Sequence, residues 1–491
     1  MDFGGRYLAL IDRRRKTLLL VSLFLILVGS RAAVINHGGN STPFMDEWDC
    51  DAADLLRPYL QGSLTVGDLF RPLNEHIILF TRLVILAIFN LSGYWDVVLQ
   101  MIANALLDAV TVVAISYALA RVLRSGWALV AIMLSTLMNS LPLSYDNMLM
   151  GLNTHFYLLL MFSFASLWFL SDSPAWSGRW AAGVLCALGS FLCMASGALT
   201  LAAASGLHVL QMACGRRAGL REGLGIATLA AATFAMASLV LHAAASDPFR
   251  AHSARQFLSA FFELASWPAP PNLGVLVGLP SAVFCLRAFA DRPMLNDPRW
   301  FNVAAFGWIL TQFLAFAAGR AAAPVETRYF DTLLIGLSIN MISLFWLLGS
   351  EPIGGKRRVW HSLALAAWLA IVAGSLAYPA HPLPGSLEFR RQTAAVEEKN
   401  VRDYLATGDA SHLSGAPILE IPYDTSGRLR ELLDAPEIRS ALPPELLSKD
   451  KPRNWVETFK RTFLGRGYTW LGLGVLLLIA VVARDARAPC A

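Results

Sequence analysis

The chain has 491 residues, 56% of them hydrophobic and only 15% charged, with a mean hydropathy of +0.51. A soluble globular protein carries about a quarter of its residues as charges, so composition excludes that class and points to a protein that crosses a membrane many times. The net charge of +5 suits basic cytoplasmic loops and gives no reason to invoke nucleic acid.

The first apolar run, residues 17–35, is too long for a signal-peptide core and lacks a small-residue cleavage pattern, so it reads as a retained helix. Arg13, Arg14, Arg15 and Lys16 precede it, which puts the N-terminus in the cytoplasm by the positive-inside rule. The segment "TPFMDEWDCD" (42–51) then emerges on the outer side with Asp46, Glu47, Asp49 and Asp51. Next comes "NEHIILFTRLVILAIFNLSG" (74–93). Read as a span, it would place the later basic loops outside. Read as an amphipathic helix lying on the membrane, with Asn74 as its N-cap, it keeps them inside and spares Arg82 the bilayer centre.

Further spans are predicted at 97–120, 126–143, 154–171, 180–195, 197–213, 223–244, 272–289, 301–319, 331–349, 360–378 and 467–483. With the first they make about twelve runs of the length a bilayer requires. The cytoplasmic edges then hold Arg121/Arg124, Arg216/Arg217/Arg221, Arg287/Arg292/Arg299, Lys356/Arg357/Arg358 and Arg484/Arg487. The long outer loops are 36–96, 245–271 and 379–466. The last begins at a Pro/Gly-rich break, "YPAHPLPGS", and contains a predicted short strand, "GAPILEIPY" (415–423), between helical pieces. The fold class is therefore an all-α polytopic membrane protein. Its core is 1–378, with interfacial helices in the first outer loop. A small mixed α/β outer domain follows at 379–466, and residues 467–491 form the last span and a cytoplasmic tail. The cysteines, Cys50, Cys186, Cys193, Cys214, Cys285 and Cys490, include no CxxC pair and suggest neither a disulfide framework nor a zinc site.

Acids clustered beside a membrane admit three readings. They can be a solvated loop, although Phe44, Met45 and Trp48 beside them belong at an interface. Asp46, Glu47 and Asp49 can be oxygen ligands of a hard divalent ion such as Mg or Mn, although their spacing fits no calcium loop. Or a partly desolvated carboxylate can act as a general base. A cytoplasmic N-terminus, one span, "MDEWD" opening a long outer loop, and an interfacial helix are followed by "YWDVVLQMIANALLDAVTVVAISYALARVLRS", which returns to a basic turn. Together they resemble the GT-C superfamily of membrane glycosyltransferases, and most nearly its bacterial members that use polyprenyl-phosphate sugars. "MDEWD" is not a strict match to any one member's Asp-Glu pair. The resemblance implies a periplasmic active site in the inner membrane of a bacterium. It implies a sugar donor on polyprenyl phosphate and a cell-envelope glycan, lipid or protein as acceptor, as in lipopolysaccharide modification. Asp46 or Glu47 would be the base, and Asp49 a sugar contact.

Such a reaction needs cations opposite the base. "AAGRAAAPVETRYFD" (317–331) supplies Arg320, Arg328 and Tyr329 at the outer ends of two spans, chemistry that suits a phosphate at headgroup depth. Snorkelling arginines are the plain alternative. "RPLNEHIILFTR" (71–82) offers Asn74, Glu75 and His76 for sugar hydroxyls and Arg71 or Arg82 for phosphate. In "LSYDNMLMGLNTHFY" (143–157), Tyr145, Asn147 and His155 are candidate sugar or acceptor contacts, with helix capping as the alternative. Asp108, deep in a span and with Asn104 one turn earlier, is read as making a buried helix–helix hydrogen bond. Two rivals share the many spans. One is a secondary transporter, which would gather its charges near the midplane. The other is an O-antigen polymerase- or ligase-type enzyme acting on polyprenyl lipids.

Overall fold

The computed structural model describes residues 3–486, apart from 242, 351–354, 415–418, 448, 449, 451 and 453. A helix lies on every predicted span, although those on 180–195 and 223–244 end early, at Phe191 and Ser238. In chain order the principal ones are α1 (Phe3–Gly38), α2 (Leu79–Ser92), α3 (Val97–Ala120), α4 (Ser125–Ser140), α5 (Thr154–Leu170) and α6 (Gly178–Phe191). They continue with α7 (Leu199–Ala213), α8 (Leu220–Ser238), α9 (Ala254–Ser266), α10 (Gly274–Asp291), α11 (Arg299–Gly319) and α12 (Phe330–Gly349). The last group is α13 (Lys356–Ala380), α14 (Leu383–Thr407), α15 (Ser426–Asp434), α16 (Pro436–Ala441), α17 (Trp455–Gly465) and α18 (Gly467–Ala486).

Among the described residues, 7 helical stretches are long and apolar enough to cross a bilayer, and up to 8 if the bent pair α17–α18 is one span. They lie in α1, α3, α4, α5, α11, α12 and α13–α14. The other predicted spans fall on α6, α7, α8 and α10. Of these, α6 and α7 have 14 and 15 residues, short of the roughly 20 that cross a bilayer untilted. The interfacial reading of the first outer loop predicts α2, a 14-residue apolar helix.

Local chemistry sets the ends. The Asp96 side chain accepts the Leu99 N–H at 2.9 Å and caps α3. Gly93, at φ 78°, closes α2 in the left-handed region. The most intimate helix contact joins the first helix to the last. A Cβ on Gly29 would sit 2.3 Å from the Leu471 nitrogen, one on Gly467 2.8 Å from the Ala33 nitrogen, and one on Gly474 2.7 Å from the Ser22 oxygen. Only glycine permits this approach, the small-residue packing typical of membrane helices.

The buried helix–helix hydrogen bonding expected of Asp108 and Asn104 is present, while two other expectations are corrected. Asp108 is ion-paired with Arg31 of α1 at 2.7 Å, both side chains 2% exposed. Asn104 donates to the Gly151 carbonyl and accepts from Thr154. The break predicted near 379 does not separate a domain. Helix continues through Pro379 to Ala380, and α14 resumes at Leu383, with Pro382 and Pro384 near its start where a missing N–H costs least. Among its described residues, the segment 379–466 shows no β-strand either. Residues 415–418 of the predicted strand lie outside the described residues, and 419–423 form turns and an isolated bridge. Instead, Val401, Leu429, Leu432, Leu433 and Ile438 share one buried cluster with Trp48, Leu55, Leu56, Ile85 and Trp95 of the segment 36–96. The two segments condense on each other because neither has enough apolar surface to bury alone.

Candidate functional site

The acidic segment and the arginine loop meet at a cavity of about 1140 Å³. Its wall includes Asp46, Asn74, His76, Tyr145, His155, Arg320, Arg328 and Tyr329. Eight residues singled out from sequence, drawn from four separate segments, thus line one space.

The acidic segment reaches it through a tight turn. Met45 takes φ 49°, a costly conformation for a side chain of its size, and its N–H donates to the Pro422 carbonyl at 2.8 Å. The turn sends neighbouring carboxylates in opposite directions. Asp46 opens into the cavity. Its carboxyl is held above the ordinary aspartate value, first by burial in the concave wall and then by Asp424. Glu47 turns inward and is 1% exposed. It accepts the Phe44 N–H at 2.7 Å and the Leu152 N–H at 3.1 Å, tying the acidic segment to the loop before α5. Burial raises its carboxyl as well, against the pull of those backbone donors. Asp49 faces away from the cavity. It accepts the Tyr423 hydroxyl and two Arg428 donors at 3.0 and 2.8 Å. Asp51 is fully buried; burial and then Glu47 push its carboxyl well above its usual range.

The opposite wall is cationic. Arg320 follows the last residue of α11, and its guanidinium lies 5.2 Å from the Phe249 ring centroid. Among the described residues it has no carboxylate within ion-pair distance. Arg328 is paired with Glu326. Tyr329 stacks on Phe316 at 4.3 Å between centroids. The loop is pinned from below. Asn147 donates to the Arg328 carbonyl at 2.8 Å and to Asp331 at 2.9 Å, and Ser144 donates to the other Asp331 oxygen at 2.6 Å. Thr327 donates to Asp146.

The third wall is a short hairpin. Strands β1 (Pro72–Leu73) and β2 (His76–Ile77) pair antiparallel, Leu73 opposite His76. Asn74 occupies the turn at φ 50°, so it is not the α2 N-cap expected from sequence; α2 starts only at Leu79. The His76 Nδ1 accepts the Ala195 N–H at 3.4 Å. Burial, assisted by Arg320 and Arg328, lowers its pKa to about 4, so the ring is neutral near pH 7. It lies 6.4 Å from the His155 ring, whose Nδ1–H donates to the Leu152 carbonyl at 3.0 Å.

The remaining candidates stand elsewhere. Glu75 pairs with Arg250 at 3.2 Å. Burial opposes its ionisation, but hydrogen bonds from Ser246 and Arg250 outweigh this and lower its pKa. Asn147 lies behind the wall. Arg71 is held by Asp54 and Asp68 at 2.9 and 3.0 Å. Arg82 is fully buried and donates to the carbonyls of Leu69 and Arg71. Neither lines the cavity; both fasten the loop ahead of the hairpin. Asp46, Glu47 and Asp49 point three ways and do not fit a shared metal, and among the described residues no three His, Cys, Asp or Glu side chains form a metal-binding group.

Sequence reading missed the fourth wall, made by His381, Ser386, Phe389 and Arg390 around the start of α14. Arg390 is held by both Glu397 oxygens at 2.8 and 3.0 Å and sits 3.9 Å over the Phe44 ring. Its i,i+7 glutamate is the signal a helical reading of 383–407 offers. The described cysteines are all free; Cys490 and Arg487 lie outside the described residues. In comparison with known proteins, no protein-family profile and no curated protein matches the chain.

Proposed function

We propose that the chain is an integral membrane glycosyltransferase that moves a sugar from a polyprenyl-phosphate donor to a cell-envelope glycan, lipid or protein. In this reading all twelve runs cross the bacterial inner membrane, both termini are cytoplasmic, and the cavity opens on the periplasmic side. One observation carries it: a single large cavity has an open carboxylate, Asp46, in one wall and in another a guanidinium, Arg320, without an acid partner among the described residues.

The chemistry follows from that opposition. Asp46 takes the proton of an acceptor hydroxyl. The freed oxygen pair attacks the anomeric carbon as the bond from that carbon to the phosphate oxygen breaks. The departing electron pair stays on the lipid phosphate, where Arg320 meets the developing charge, aided by Arg328 and Tyr329. Attack opposite the leaving group inverts the anomeric centre. A raised pKa strengthens Asp46 as a base, because a carboxylate near the ordinary value is a poor acceptor for a hydroxyl proton. Glu47, committed to two backbone donors, shapes the segment; it is not the base. Asn74, His76, Tyr145 and His155 are the sugar-facing groups, and no step requires a metal.

A solute transporter is the second reading, favoured by the Arg31–Asp108 pair within the spans, where transporters keep functional charges. The deciding experiment measures release of polyprenyl phosphate from a panel of polyprenyl-phosphate sugars by the purified chain and its Asp46→Asn variant, with crude envelope glycan as acceptor and with or without EDTA. Release by the wild type alone supports the transferase. No release with any donor, together with solute uptake into vesicles, sinks it.

A further inference from the structure

A second cavity, of about 1180 Å³, shares no lining residue with the first. It lies where α17 meets the outer ends of α1 and α3, and its wall includes Asn36, Val98, Asn454, Trp455, Thr458 and Arg461. Its origin is the glycine seam. Gly467 presses the start of α18 against α1 so closely that α17 must leave at 58° to α18. A bent pair of this kind, with the bend at its outer end, turns its first helix, α17, towards the interface.

The two faces of α17 have different work. Val456, Lys460 and Phe463 point inward. The Lys460 ammonium, 8% exposed, reaches Tyr94 at 2.6 Å, Asp96 at 2.7 Å and Glu457 at 2.6 Å, which staples α17 to the corner between α2 and α3. Glu457 also accepts the Tyr94 hydroxyl at 2.5 Å. The acid in the cavity wall is thereby occupied. Asn454, Thr458 and Arg461, at helical spacing, face the cavity together. Among the described residues Arg461 has no carboxylate partner, and neither does the exposed Arg466 at the bend. Trp455 is 66% exposed and Tyr468 79%, so amphipathic rings stand on either side of the bend. Such rings favour headgroup depth.

We propose that this cavity is a second binding site, for the phosphate-bearing headgroup of an outer-leaflet lipid. Arg461 takes the phosphate, the Asn36 and Asn454 amides are within the same wall for its neighbouring oxygens, and Trp455 rests against the glycerol and upper chains. A free carboxylate in that wall would repel such a group; the acid among the described lining residues, Glu457, is held by both Lys460 and the Tyr94 hydroxyl.

The test uses the full chain in detergent and native mass spectrometry, with phosphatidylglycerol, diacylglycerol of the same chains, and inorganic phosphate as separate probes. The wild type retains phosphatidylglycerol and not diacylglycerol. Arg461→Gln, an exposed change that leaves folding intact, lowers retention about fivefold or more. Arg255→Gln, at an exposed arginine of α9, leaves it unchanged. Equal retention of the two lipids, no effect of Arg461→Gln, or an equal effect of Arg255→Gln overturns the site. Saturable binding of inorganic phosphate that displaces the lipid overturns the lipid assignment in favour of a soluble anion.

Discussion

The acidic segment and the arginine loop face each other across the cavity and are built alike. Each carries more charge than the cavity receives. Of the four acids, Glu47 holds backbone, Asp49 holds Arg428 and Tyr423, and Asp51 is buried, leaving Asp46 open. Of the two arginines, Arg328 is matched by Glu326, leaving Arg320. Most charge in each region fixes the geometry of one charge that does not. Proximity in sequence therefore says little about role: Asp46 and Glu47 are adjacent, yet one faces the cavity and the other the interior.

The sharpest way to break this comparison is to neutralise the two open charges. Asp46→Asn should cut sugar transfer by roughly a hundred- to ten-thousand-fold, the range for losing a general base, with the melting temperature unchanged. Arg320→Ala should cost about a hundredfold or more, comparable to removing one donor from a charge-stabilising site, and Arg328→Ala clearly less. Equal losses at the two arginines would mean that the Glu326 pairing does not restrain Arg328. Glu47→Gln should act on stability instead, by about 1–3 kcal/mol, because an amide can accept from only one of the two backbone donors and sets its own N–H₂ against the other. A variant with normal melting and no transfer would exchange the roles of Asp46 and Glu47. Asp49→Asn should be mildest, at most about 1 kcal/mol, since the pair with Arg428 is more than one-third exposed on both sides.

Acidity sharpens the same contrast. As the proposed base, Asp46 must be deprotonated to act, and its pKa is raised. Transfer should therefore fall, as pH drops, at a pH above the ordinary aspartate value of about 4. His76 works through stability. Its pKa is about 4 in the fold against 6.5 in the open chain, so the unfolded state binds the proton first. Stability should decline as pH falls from about 6.5 towards 4, and His76→Gln should flatten that part of a melting-temperature profile.

That the chain is built of long apolar helices was legible because hydropathy is a local property. The facing of each charge was not. It depends on the Met45 turn, whose N–H is held by Pro422 from a distant segment. That Asp108 bonds to another helix was legible from its depth in a span, but its partner was not, because Arg31 lies 77 residues earlier. Arg390 escaped notice because residues 379–466 read as a separate domain. The apolar residues of that stretch gave no hint that they would share a core with Trp48 and Trp95. The prolines of "YPAHPLPGS" mark helix starts as readily as breaks, and only packing decides which.

The seam between α1 and α18 has a consequence for cooperativity. Gly29 and Leu471 lie at opposite ends of the described chain, so their contact closes a very long loop and is rewarded only after that closure. A side chain at Gly29, Gly467 or Gly474 would push the two backbones apart, and the loss would be felt by everything the loop encloses.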